Sequence, residues 1–170
     1  MSLDTFQPGG LYVTLKIRND PPVENDFHWG LYLHENSRVG GTHHDIKGSR
    51  ESGWIAHHER TTAVLKWLFL VGLVQVATVP DESVGDVDRI LRSLDTTLMD
   101  YPDISCRVWV LDMLKKLQEQ LGNVGILRGV DVDGKMQSEI LAWGNQNALA
   151  AARNEQPRPV AVSESALRSH

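Results

Sequence analysis

The stretch at residues 26–33 reads Asp-Phe-His-Trp-Gly-Leu-Tyr-Leu, and from Phe27 onward an apolar residue stands at every second position. Successive side chains of a β-strand point to opposite faces, so one face of this stretch is uniformly apolar. The other face carries His28, Gly30 and Tyr32. The pattern predicts a strand that has one face in the core and His28 near its start.

Further strands are predicted on both sides of this stretch. Before it, residues 11–18 alternate apolar and polar side chains. After it, Gly40-Gly41 is typical of a turn, so the chain returns as a hairpin partner and brings His43 and His44 beside His28. Two later segments, residues 54–60 and 64–79, are also of β type. The first half of the chain is therefore expected to form a sheet.

The second half of the chain is predicted to be helical. An apolar stripe between residues 108 and 117 has helical spacing, and the helix that it predicts ends near Gly122. Cys106 lies in the first turn of this helix, with Ser105 or Asp103 as its N-cap. A cysteine at a helix start is therefore the main candidate for a functional residue.

The domain organisation follows from these elements. A last helix is predicted at residues 135–153, and the polar residues 154–170, which include two prolines, are expected to form a disordered tail. Residues 1–153 then form one domain of the α+β class. We expect an antiparallel sheet of about five strands, packed on the helix that carries Cys106.

Composition and charge exclude several classes of protein. The chain has 17 Lys and Arg residues against 22 Asp and Glu, and no basic stripe, so a nucleic-acid partner is not expected. Its one cysteine excludes an internal disulfide and favours a reducing compartment, which predicts a cytoplasmic protein. The N-terminus lacks the pattern of a secretory signal. The longest apolar run, residues 63–79, contains Lys66 and Gln75 and is too short for a membrane span.

Cys106 has a position that favours chemical reactivity. The first turn of a helix offers unpaired backbone N–H groups and the positive end of the helix dipole, and both stabilise a thiolate. A histidine beside such a cysteine completes the ion pair that thiol enzymes use. The alternative for an isolated cysteine is a buried small side chain that packs like alanine.

Three pieces of sequence carry a resemblance to known enzymes: residues 26–33, the Gly-Thr-His-His at 41–44, and the Ser-Cys-Arg-Val-Trp-Val at 105–110. Their order resembles the circularly permuted papain-like superfamily of thiol enzymes, in its lecithin:retinol acyltransferase-like branch. It is also similar to uncharacterised fungal proteins that share the His-Trp and Cys-x-x-Trp-Val motifs. The resemblance implies a permuted papain-like fold, with Cys106 as nucleophile, His28 as general base and His44 as the residue that orients His28. His43 is the rival for the third role.

The function expected from this resemblance is that of a cysteine-dependent hydrolase or acyltransferase, such as a thiol protease, acting on an amide or ester of a small molecule or peptide. No cofactor is expected. Trp109 and Tyr32 are candidates for the substrate cleft, and a metal site is not favoured because the histidine spacing lacks a ligand motif. Two alternatives remain: an isomerase or cyclase that uses the same residues, and a binding module without catalysis.

Overall fold

A computed structural model describes residues 3–167 of the chain. Six strands form one mixed sheet, in which β6 is parallel to β5 and the other neighbours are antiparallel. The fold is α+β, as the sequence predicts, and the sheet has one strand more than expected. The strands are β1 (Gly10–Ile17), β2 (Phe27–Asn36), β3 (Gly40–Ser49), β4 (Gly53–Thr61), β5 (Leu70–Thr78) and β6 (Val160–Val162), in the order β4-β3-β2-β1-β5-β6.

Helices α1 (Val84–Leu91), α2 (Cys106–Leu121) and α3 (Gln137–Ala152) are followed by a short α4 (Glu164–Leu167). Helix α2 packs against β2 and β3, and α3 packs against β5 and β1. We call the side of the sheet that they cover the helix face, and the opposite side the outer face. Within residues 3–167, none of the helices is long and apolar enough to cross a membrane.

The start of α2 is fixed by a side-chain cap. The hydroxyl oxygen of Ser105 accepts a hydrogen bond from the backbone N–H of Val108, at 3.2 Å. A capping serine satisfies one of the N–H groups that have no partner within the helix. Cys106 is therefore the first helical residue, as the sequence predicts, and its side chain leaves the helix at a defined point.

Strand β2 has a partner on both sides only along part of its length. It pairs with β1 from Phe27 to Leu33, whereas its ladder with β3 ends at the pair of Leu31 with His44. Beyond that pair β3 continues alongside β4 alone. The start of β2 is consequently open on the side of β3, and this gap receives the N-terminal end of α2.

The C-terminal segment differs from the prediction of a disordered tail. Residues 160–162 form β6, and the side chain of Arg158 is 1% exposed. The Arg158 guanidinium donates hydrogen bonds to Glu155 O and Asn154 Oδ1, just beyond α3, where the negative end of the helix dipole favours a cation. The polar composition of the segment therefore misled the prediction for residues 154–167, and residues 168–170 lie outside the described part.

Candidate active site

Cys106 lies where α2 enters the open side of β2. Its Sγ is 3.8 Å from the carbonyl oxygen of Phe27, and the backbone N–H of Trp29 favours the charged form of the sulfur. The sulfur also interacts with the imidazole of His28, and each group shifts the pKa of the other toward its charged form. The thiol is buried, with Cys106 2% exposed. The structure thus brings together the two side chains that the sequence proposes as nucleophile and base.

The third member of this group is Asp45, which the sequence analysis did not select. Its Oδ2 lies 2.7 Å from Nε2 of His28. This leaves the other ring nitrogen, Nδ1, for the thiol. Asp45 is 1% exposed, so its carboxylate makes this hydrogen bond away from bulk water. We call Cys106, His28 and Asp45 the Cys-His-Asp cluster.

The predicted contact between His44 and His28 is wrong. In the hairpin, His44 stands opposite Leu31 and therefore points to the helix face, away from His28. Its Nδ1 lies 2.7 Å from Nδ1 of His58, and Nε2 of His58 lies 2.9 Å from the Asp95 carboxylate. We call these three residues the helix-face cluster.

His43 lies on the outer face, but it does not contact His28 either. Its Nε2 is 2.9 Å from the hydroxyl of Thr14, and its Nδ1 is 4.0 Å from Asp45. His57 is closer, with Nδ1 at 3.1 Å from Oδ1 of Asp45. Asp45 is thus held between two strands by several imidazoles. Among residues 3–167, no group of three or more His, Cys, Asp and Glu side chains has the arrangement of a metal site.

Hydrogen bonding within the Cys-His-Asp cluster favours its charged form. Burial opposes a charge on His28, but the hydrogen bonds to Asp45 and Cys106 outweigh it and raise the pKa of His28 to about 9. Burial likewise raises the pKa of the Cys106 thiol, yet the bonds from His28 and from Trp29 N–H bring it below its usual value. Burial opposes ionisation of Asp45 too, and the bond from His28 holds its pKa at about 2. The cluster therefore favours thiolate and imidazolium over the neutral pair.

The two residues predicted to shape a substrate cleft are core residues instead. Trp109 is 1% exposed and packs in the cluster that joins α2 to the helix face. Tyr32 is fully buried on the outer face, where its hydroxyl lies 2.8 Å from Nδ1 of His34. Both rings follow the general tendency of aromatic side chains to be buried. Trp29, which the pattern assigned to packing, is indeed in the core at 1% exposure.

The model of a family of unknown function, DUF6540, matches residues 16–121, which is more than half of the chain. The chain belongs to the DUF6540 family. The DUF6540 match runs from β1 to the end of α2 and contains all three residues of the Cys-His-Asp cluster. Comparison of the chain with curated proteins and with solved structures gives no match.

Proposed function

We propose that this protein is a cysteine-dependent hydrolase or acyltransferase that acts on an amide or ester. In this proposal Cys106 is the nucleophile, His28 is the general acid and base, and Asp45 orients His28. The observation that carries the proposal is the arrangement of the three groups: the Cys106 thiol interacts with the imidazole of His28, which is hydrogen-bonded to the buried Asp45 carboxylate. A nucleophile, a base and a third group that orients the base are the parts that covalent catalysis needs.

The position of each part in the fold supports a permuted papain-like arrangement. His28 and Asp45 come first in the chain, on the adjacent antiparallel strands β2 and β3, and Cys106 follows at the start of the helix packed on them. The sequence motifs imply this same order for the nucleophile and the base. Asp45 takes the orienting role that the motifs assigned to His44.

The first half-reaction starts from the ion pair. The Cys106 thiolate forms a bond to the acyl carbonyl carbon, and the negative charge that develops on the oxygen is stabilised by free N–H groups in the first turn of α2. The bond to the leaving group then breaks, and the His28 imidazolium gives its proton to the departing amine or alkoxide. The products are a thioester on Cys106, a neutral His28 and the released amine or alcohol.

The second half-reaction regenerates the enzyme. Neutral His28 takes a proton from water or from an acceptor alcohol or amine, whose oxygen or nitrogen attacks the thioester carbonyl. The carbon–sulfur bond breaks, Cys106 leaves as a thiolate and His28 is again protonated. The side chain of His28 is 23% exposed, whereas Cys106 is 2% exposed, so we expect substrates to reach the sulfur along the imidazole ring.

The direct test is to trap the thioester. The protein is incubated with a panel of p-nitrophenyl esters and peptide thioesters, quenched in acid and measured by intact-mass spectrometry. We expect a mass increase of one acyl group, localised to the peptide that contains Cys106. Since the chain has a single cysteine, the assignment is unambiguous.

Two variants control this experiment. Cys106→Ala should fold and gain no acyl group, whereas His44→Asn, on the opposite face of the sheet, should be acylated like the parent protein. Absence of any adduct, together with alkylation of Cys106 no faster than in the unfolded chain, would contradict the proposal. That result would favour a binding module in which the cysteine only packs.

A further inference from the structure

A cavity of about 380 Å³ opens on the outer face beside the Cys-His-Asp cluster. Asp45 belongs to its wall, which places the cavity next to the orienting carboxylate. Three cationic side chains also line it: Lys16, Lys47 and Lys66. The cavity therefore borders the Cys-His-Asp cluster on its Asp45 side.

Lys16 is a cation of the cavity lining that stands beside the proposed base in the sheet. It is the cross-strand partner of His28 in the ladder of β1 with β2, so the two side chains lie on the same face of the sheet. Its Nζ lies 4.5 Å from the centre of the Trp67 ring, which forms another wall of the cavity. The ammonium is thus held in place by a cation–π contact.

Lys16 is half-buried, and no carboxylate among residues 3–167 lies within salt-bridge distance of its ammonium. Burial lowers the pKa of Lys16, and the negative charge of Asp45 opposes that effect. Asp45 itself is already engaged by His28 and His57. A partly desolvated cation without a paired anion is stabilised when a ligand supplies one.

The charges that line the cavity specify the kind of anion. Three lysines face two carboxylates, Asp45 and Glu59, so these groups give the lining of the cavity a net charge of +1. A monoanion satisfies this balance, whereas the two carboxylates disfavour a phosphate dianion. The flat apolar surface of Trp67 beside Lys16 suits the carbon skeleton to which the anion is attached.

We propose that this cavity binds a carboxylate on the acyl substrate, with Lys16 as its principal ligand, so that the protein selects acyl groups that carry a free acid. The inference rests on the proposed function, because it assigns the cavity to the substrate of Cys106. Lys47 and Lys66 are exposed and add a weaker, screened attraction. Lys16 is thereby a specificity-determining residue rather than a part of the chemical step.

Selectivity can be measured with matched alkylating reagents, since Cys106 is the single cysteine. The reagents are the iodoacetyl derivatives of glycine, β-alanine and 4-aminobutyrate, each compared with its neutral primary amide. Each rate is divided by the rate for free glutathione, which removes the intrinsic difference between reagents. The three spacers sample the distance between the sulfur and the cavity.

For at least one spacer, we expect the carboxylate reagent to label Cys106 about 10-fold faster than its amide at low salt. In Lys16→Met this ratio should fall to about one, and 0.5 M NaCl should reduce it in the parent protein. Lys135→Met, which removes an exposed lysine outside the cavity lining, should keep the ratio. Because both rates are measured in the same variant, a general defect in folding cancels.

The outcomes separate the inference from the proposed function. Rapid labelling with a carboxylate-to-amide ratio near one at every spacer, or a ratio that Lys16→Met leaves unchanged, would overturn the carboxylate site and leave the thiol enzyme standing. Labelling no faster than in the unfolded chain with every reagent would overturn both. A ratio that falls equally in Lys16→Met and Lys135→Met would show an effect of net charge and would also overturn the site.

Discussion

The Cys-His-Asp cluster and the helix-face cluster contain similar side chains on opposite faces of the same strand. Asp45 and His44 are neighbours on β3, and each begins a chain of hydrogen bonds between imidazole and carboxylate groups. Their electrostatics are opposite. The pKa of His28 is raised to about 9, whereas burial and the neighbouring His58 lower the pKa of His44 to about 3.

The two clusters differ in the groups that contact the histidine. His28 lies between a carboxylate and a thiol that loses its proton, so its positive charge is stabilised from both sides. His44 contacts a second histidine, and its positive charge would be repelled if His58 were charged. A buried histidine that is hydrogen-bonded within a β-sheet is therefore not enough to form a site that activates a thiol. The Cys-His-Asp cluster is distinguished by its cysteine at the helix start and by the gap between β2 and β3.

The largest expected effect is the difference in labelling rate between a variant that lacks His28, in the Cys-His-Asp cluster, and one that lacks His44, in the helix-face cluster. In His28→Asn the Cys106 thiol loses its ion pair, and its pKa should return toward about 8.5, the value of a free cysteine. At pH 6 we expect the rate of iodoacetamide labelling to fall about 100-fold. His44→Asn should stay within about twofold of the parent rate. Equal losses in the two variants would show that the clusters are not chemically distinct.

A smaller effect is expected from the two carboxylates. Asp45→Asn keeps the shape of the side chain but removes the charge that holds His28 as imidazolium, so labelling at pH 6 should slow about 10-fold. Asp95→Asn makes the same change in the helix-face cluster and should leave the rate unaltered. Both labelling rates are measured by intact-mass spectrometry of samples quenched at successive times. If Asp45→Asn labels at the parent rate, Asp45 has no orienting role.

The smallest effect concerns stability. Here we expect the larger loss in the helix-face cluster, whereas the larger loss of labelling rate is expected in the Cys-His-Asp cluster. His44→Ala leaves the buried Nδ1 of His58 without its partner, which we expect to reduce the free energy of unfolding by about 1–3 kcal/mol. Cys106→Ala removes one sulfur atom from a helix start and should cost about 1 kcal/mol or less. Urea titrations followed by tryptophan fluorescence measure both values. A larger loss in Cys106→Ala would indicate that the cysteine is mainly a packing residue.

The parts of the site that depend on local sequence were predictable. Ser105 and the apolar stripe after it place Cys106 at a helix start, and the alternation around Trp29 places His28 on a strand. Both predictions rest on a few neighbouring residues and on the periods of helix and strand. The α+β class follows from the same patterns, applied to the two halves of the chain.

The third residue could not be chosen from the pattern, because the choice depends on the register of the hairpin. A shift by one residue moves every side chain to the other face, and only the observed pairing of Tyr32 with His43 shows that His44 points to the helix face. Asp45 lies two residues after His43 and shares its face. Asp45 is the one acidic residue of β3, and its place directly after two histidines is a signal that could have identified it.

Long-range packing explains the remaining errors. Trp109 shares a helix side with Cys106 by spacing, but that side continues into the core rather than into a cleft. Tyr32 alternates with apolar residues, yet the outer face at its position is covered by Phe6 and Tyr12. The C-terminal segment is ordered because β6 adds to the edge of β5, a contact between residues far apart in the sequence. None of these contacts has a local sequence signature.

The pairing of a Cys106 thiolate with the His28 imidazolium should be visible in the pH dependence of alkylation. The rate of iodoacetamide labelling at the single cysteine is measured from pH 4 to pH 10 in the parent protein. Because the pKa of Cys106 is lowered, the labelling rate should fall, as the pH drops, with a midpoint below the usual pKa of a thiol. A rate that instead rises with a midpoint near the usual pKa of a thiol, about 8.5, would contradict the ion pair and with it the proposed catalytic role.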